Sequence, residues 1–165
     1  MKFNPFQHFE IRPDKKHVSE LEEKFQIQLP PIFKIFNETF ILESFAQPNR
    51  EGFWVNYPDD EVGFSGFDCS LEFNIDNYLK EYAHNNIFKG LLPFASSGIY
   101  PSGICVGLEG ANRDKICIQV EINNWEVKVI NENIFEFIQD LVYVDHRTDQ
   151  VHRNTKYTKK LFGPK

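Results

Sequence analysis

The sequence predicts an α+β protein, and three patterns predict it. Between residues 115 and 130 apolar side chains recur at every second position, while over 18–25 and 134–142 they recur every three to four. Breaks rich in Pro, Gly and Asn separate the two kinds of segment. A chain of 165 residues sets the expectation of one domain with a core of its own. With 41% hydrophobic residues and 17 Phe, that core is expected to be phenylalanine-rich, and the composition excludes an intrinsically disordered chain.

Residues 1–13 mix Phe3, Phe6, Phe9 and Ile11 with polar residues and predict an extended arm or edge strand. From Asp14, read as an N-cap, Val18, Leu21 and Phe25 fall at i, i+3 and i+7 and predict a helix. Pro30 and Pro31 must end it, because Pro30 disfavours the α conformation at Leu29 and neither proline has an N–H to donate. A proline can also open a helix, so Ile32, Phe33, Ile35 and Phe36 predict a second, short one. The first of this pair exposes mostly Glu, which argues against a DNA-reading unit.

Further along, Phe53, Val55 and Tyr57 alternate with Trp54 and Asn56 and predict a strand ending at Pro58. Asp59, Asp60 and Glu61 follow as a three-carboxylate loop. Asp76 reads as the N-cap of a helix that turns Tyr78, Leu79 and Tyr82 inward and closes at Asn85-Asn86. Residues 91–95 and 104–108 read as strands joined by a loop containing Gly98, Pro101 and Gly103, and 109–114 as a polar turn. Asn123-Asn124 suits a two-residue hairpin turn because Asn tolerates positive φ. That turn sets Ile122 opposite Trp125, Val120 opposite Val127 and Ile118 opposite Val129, and it makes Glu121 and Glu126 a like-charge cross-strand pair beside Lys128. Asn133 and Glu136 resemble a capping box for a closing helix with Ile134, Phe137, Ile138, Leu141 and Val142 on its inner face. The expected domain is 1–145, followed by a basic tail, 146–165, loosely attached or disordered.

The charge is uneven. Residues 1–145 carry 12 Lys and Arg against 23 Asp and Glu, a net −11, whereas the tail carries +5. A body of that sign repels nucleic acid and attracts a basic protein, or it serves solubility alone. Three Cys cannot all pair within one chain, and residues 1–9 lack the layout of a signal peptide, so a reducing, cytoplasmic setting is expected. No apolar run approaches the roughly 18 residues of a membrane helix, and no membrane partner is expected.

The residues offer no reaction signature. The five His include no His-Glu-x-x-His pattern, and His146 and His152 are six apart, a spacing that shares no helix face. Cys105 and Cys117 lie in apolar strands, where a thiol packs as a small inert group. No cofactor, metal or catalytic residue is assigned. Asp59, Asp60 and Glu61 remain open between acid–base carboxylates, a cation site and a solvated loop.

Three separated segments resemble one known family in order and spacing. Leu21-Glu22-Glu23 through Leu29-Pro30-Pro31 to Phe36 resembles the leading helix pair of the SUKH superfamily. Leu91-Leu92-Pro93-Phe94-Ala95, followed by Gly103-Ile104-Cys105-Val106, is similar to its strand entry. Asn133-Ile134-Phe135-Glu136-Phe137-Ile138 through Leu141 is similar to its closing helix. The resemblance spans about residues 15–143 and departs from the family at Asn37-Glu38-Thr39 and in the loop 96–102, which lacks a carboxylate. It implies a single domain with a central antiparallel sheet flanked by helices. In bacterial members it implies a cytoplasmic antidote that blocks a secreted toxin, often a nuclease, with no catalytic residues of its own.

The expected function is therefore an immunity protein that meets a basic toxin cleft with carboxylates standing in for phosphates. The expected contact residues are Asp59, Asp60, Glu61, Glu121 and Glu126, with Trp54, Tyr57 and Tyr100 as aromatic anchors. A regulatory adaptor that recruits cellular enzymes is the alternative, and an enzyme comes third.

Overall fold

The computed structural model describes residues 4–45, 53–56, 62–67, 69–98, 103–122, 124–145 and 150–152. For 53–56, 121, 122, 124, 143–145 and 150–152 it describes the backbone alone. Among the described residues four α-helices pack on an antiparallel five-stranded sheet, the α+β architecture that the alternating and helical periodicities predict.

The helix pair forms where the prolines require it. Helix α1 (Lys16–Phe25) begins with the Lys16 amide donating to Asp14 Oδ1 at 2.9 Å and ends at Gln26, whose φ of 51° is left-handed. Helix α2 (Pro31–Thr39) carries Pro at its first position. Glu22 closes the turn between them: its carboxylate accepts from the Leu29 amide at 2.8 Å and from the Lys34 ammonium at 2.6 Å. The amides of Ile32 and Phe33, orphaned at the start of α2, both donate to Asp114 Oδ1 at 3.0 Å.

In the main sheet β4 (Phe64–Gly66), β5 (Leu91–Ser97), β6 (Ile104–Gly107), β7 (Ile116–Ile122) and β8 (Asn124–Asn131) lie in that order, every neighbour antiparallel. A smaller sheet pairs β1 (Glu10–Ile11) with β2 (Phe40–Ile41), and another orders β10 (Gln150–His152), β9 (Val142–Asp145) and β3 (Phe53–Asn56). The helical face of the main sheet carries the core. Phe33 of α2 meets Phe94 of β5 edge-on at 5.6 Å, and Phe94 meets Phe137 of α4 (Ile134–Asp140) at 5.7 Å. Phe9, Phe36, Phe45, Phe64 and Phe67 extend this ring cluster, with aromatic pairs in the mutually favourable tilted and edge-on geometries.

Several expectations change. Of the segment expected as an extended arm or edge strand, the described residues 4–13 form one 3₁₀ turn (Pro5–His8) followed by the short strand β1. Asp76 is not an N-cap: α3 (Leu71–Asn77) starts earlier, with the Phe73 amide donating to the Ser70 hydroxyl at 3.2 Å. Leu71, Asn74, Ile75 and Tyr78 make its buried face, and the helix runs on through a wider turn at Tyr78–Tyr82. Asn133 does cap α4, accepting from the Glu136 amide at 3.1 Å, but the helix ends at Asp140 and Val142 opens β9. Within the tail, β10 pairs with β9; residues 153–165 lie outside the described residues.

The hairpin register is the largest correction. Glu121 pairs with Trp125, Val120 with Glu126, Gln119 with Val127, Ile118 with Lys128 and Cys117 with Val129. This is one residue away from the expected pairing, so Glu121 and Glu126 are not a cross-strand pair. A one-residue slip sends a strand's side chains to the other face. Trp125, Val127 and Val129 therefore share the face of Cys117 and Gln119, opposite the one through which Ile116 and Ile118 enter the core. The reason is that the sheet needs apolar groups on both faces. Segment 84–90 lies over the outer one, with Phe88 against Trp125 at 5.8 Å and the Gln119 Nε2 donating to the Ile87 carbonyl at 2.6 Å.

Candidate functional site

The outer face of the main sheet is built in two parts. Towards its middle, Leu91, Cys105 and Cys117 form a small buried cluster, and Cys105 and Cys117 are direct cross-strand neighbours. Burial pushes the Cys117 thiol up to about 11 and the Cys105 thiol higher still, so both are held protonated and unreactive at neutral pH. Towards β8 the face opens. Val127 and Val129 are 41% and 38% exposed, and Ile87 across from them is 41% exposed. Between them lies an open groove of about 500 Å³ lined by Ile87, Lys89, Leu91, Glu109, Trp125 and Val127.

Gln119 supports the groove from beneath. It is buried, its amide nitrogen holds segment 84–90 in place, and its Oε1 has no hydrogen-bond partner among the described residues. Gly90, in the left-handed region at φ +80°, turns the chain from that segment into β5 while its amide donates to the Tyr78 hydroxyl at 2.9 Å. Lys89 and Glu109 edge this apolar strip, while Glu126 and Lys128 alternate with it and lie on the opposite face of β8.

Among the described residues the acidic exterior is only partly neutralised. Among the described residues, ion pairs take up Glu22 with Lys34, Glu72 with Lys24 and Asp76 with Lys80. Glu20, Glu23, Glu109, Glu126 and Glu132 are exposed and enter no ion pair among those residues. The hydrogen bond that the Lys34 ammonium donates to Glu22 holds it above its ordinary value, which keeps that pair charged.

The sequence-derived contact residues are thus scattered over what can be described. Glu126 is exposed on β8. Glu121 occupies a backbone position opposite Trp125, and Trp54 one opposite Val144 in the three-stranded sheet. Tyr57, Asp59, Asp60, Glu61 and Tyr100 lie outside the described residues. The structure adds Val127, Val129, Ile87 and Glu109, which sequence reasoning missed. For Val127 and Val129 the only signal was the apolar alternation of β8, which reads the same whichever face it serves, and Ile87 and Glu109 carried none.

Among the described residues there is no cluster of three or more His, Cys, Asp or Glu placed to hold a metal, and no helix long and apolar enough to cross a membrane. The fold and this surface define the molecule as a single α+β domain with an apolar groove on an acidic exterior. No family model, curated protein or solved structure matches the chain.

Proposed function

We propose that this protein is an immunity protein of the SUKH kind, which binds a cognate toxin of basic surface and blocks its cleft. The observation that supports the reading is the set of exposed carboxylates that enter no ion pair among the described residues, on a body of net −11. Had its own lysines neutralised them, that exterior would have little to offer a cationic partner. As it stands, it steers a basic protein towards the surface from beyond contact range and replaces the phosphates that a nuclease cleft is built to hold. The outer groove supplies the uncharged contact area that charge alone lacks, with Trp125 as its aromatic anchor.

The test starts from capture of the intact protein's partner from its own cell lysate and mass spectrometry. The expected partner is one basic toxin; recovery of several housekeeping enzymes at modest affinity would favour the adaptor reading instead. With the toxin in hand, Asp59→Lys combined with Asp60→Lys, and separately Glu109→Lys, are expected to slow association about tenfold at low salt and to flatten its salt dependence. Association rates unchanged in both variants would remove the electrostatic surface from the account.

A further inference from the structure

We propose that β8 is the docking edge for a second copy of this chain, so that two five-stranded sheets join into one across a two-fold axis. Among the described residues β8 ends the sheet order and pairs only with β7. Its residues 126–129 are exposed on both faces of the strand, as an uncovered edge requires. Along residues 125–129 such an edge presents outward-facing backbone groups with no strand partner among the described residues, and an edge of this kind is either guarded or used.

What chooses a second copy is the order of side chains along the strand: Trp125, Glu126, Val127, Lys128, Val129. In an antiparallel pair centred on Val127, Glu126 of each chain lies directly opposite Lys128 of the other, and Trp125 lies opposite Val129. Both charges of the edge are then matched twice over. The apolar strip of one outer face also continues into its copy. A two-fold axis perpendicular to the sheet keeps outer faces on the same side, so only registers that pair outer residues with outer residues are open. Moving the centre one residue either way stacks Glu126 on Glu126 or Lys128 on Lys128, which opposes pairing.

A lone Lys on an edge strand is a common guard against such contact. Glu126, two residues away on the same face, turns the guard into half of a complementary pair. The chemistry fits a second copy better than an arbitrary extended peptide, because a peptide would have to bring its own Lys and Glu in this spacing. One strand per partner is a small interface, so the pairing is expected to be reversible with a Kd on the order of 10 µM.

The experiment is sedimentation velocity on the intact protein over about 1 to 300 µM at low salt, a span chosen to bracket that affinity. The wild type should show reversible monomer–dimer behaviour. Lys128→Glu and Glu126→Lys should each weaken it by about tenfold or more, since each replaces two attractive cross-strand pairs by two repulsive ones. An equimolar mixture of the two variants should regain association, because a chain with two carboxylates then faces a chain with two ammonium groups. Both positions are exposed, and circular dichroism of each variant checks that the fold is kept. A wild type that remains monomeric over the whole range would leave the edge to a different protein and overturn the proposal. A dimer indifferent to both variants, or a mixture no better than either variant alone, would overturn it equally. No arm of the experiment uses a toxin, so its failure and that of the immunity reading are separable.

Discussion

Asp114 shows how much one side chain can hold in place. Its backbone sits at φ 66°, a conformation that Asn and Asp accept more readily than most residues, and its carboxylate accepts both leading amides of α2. The position thus joins the turn before β7 to the helix start 81 and 82 residues earlier in the chain, and the charge also complements the positive end of the helix dipole. Asp114→Ala is expected to lower unfolding free energy by about 1–2 kcal/mol, read from urea denaturation, since it removes both acceptors and keeps the unfavourable φ. Asp114→Asn, which keeps an acceptor oxygen, should lose less. The buried thiols give a pH dependence of definite sign. Cys105 and Cys117 hold their protons more tightly folded than unfolded, so their stabilisation is whole below the ordinary thiol value and is lost as pH rises towards about 11. Urea midpoints should therefore fall between about pH 8.5 and 11, less steeply in Cys117→Ala. At neutral pH a thiol reagent should reach those two residues only after unfolding.

At the scale of the element, β6 and the turn after it are packed to the limit of the backbone. A Cβ at Gly107 would stand 1.8 Å from the Asn112 carbonyl oxygen, and at Gly103, with φ +70°, it would stand 2.5 Å from that of Ala95. Neither neighbour is a side-chain end that can swing away. Gly107→Ala is expected to destabilise the protein by about 3 kcal/mol or more, measured by thermal or urea unfolding, because the 110–112 turn must move and carry Asp114 with it. The same turn donates the Asp114 amide back to the Gly107 carbonyl, so the central strand and the helix cap rest on one tight crossing. The β7–β8 hairpin follows a different logic. Its existence follows from alternation, but its pairing is set by what covers each face, with Phe88 and Ile87 holding the outer one.

For the molecule as a whole the governing quantity is charge. A described surface with three ion pairs, two of them well exposed, gains little stability from them, while the remaining carboxylates repel one another. Moderate salt is expected to raise the thermal midpoint relative to low salt, by about 2–4 °C if screening is worth roughly 1 kcal/mol. A salt-independent midpoint would mean that the exterior is neutralised by groups outside the described residues. Under the proposed function the same screening should slow association with a basic partner, so one feature of the molecule would act in opposite directions on stability and on recognition.

The sequence by itself determined the α+β class, the helix pair broken at Pro30 and Pro31, the cap at Asn133 and the hairpin within 116–131. Each follows from interactions a few residues apart, where spacing and backbone restriction decide. It also marked Glu126 as an exposed carboxylate. Only the tertiary structure decided that Asp114 caps α2 and that Ser70 opens α3. It also decided that Trp125, Val127 and Val129 face outward over a groove instead of inward to the core. Alternation states that a strand has two unlike faces but not which one meets the helices. That choice is made by segments such as 84–90, distant in sequence, whose packing sets the register.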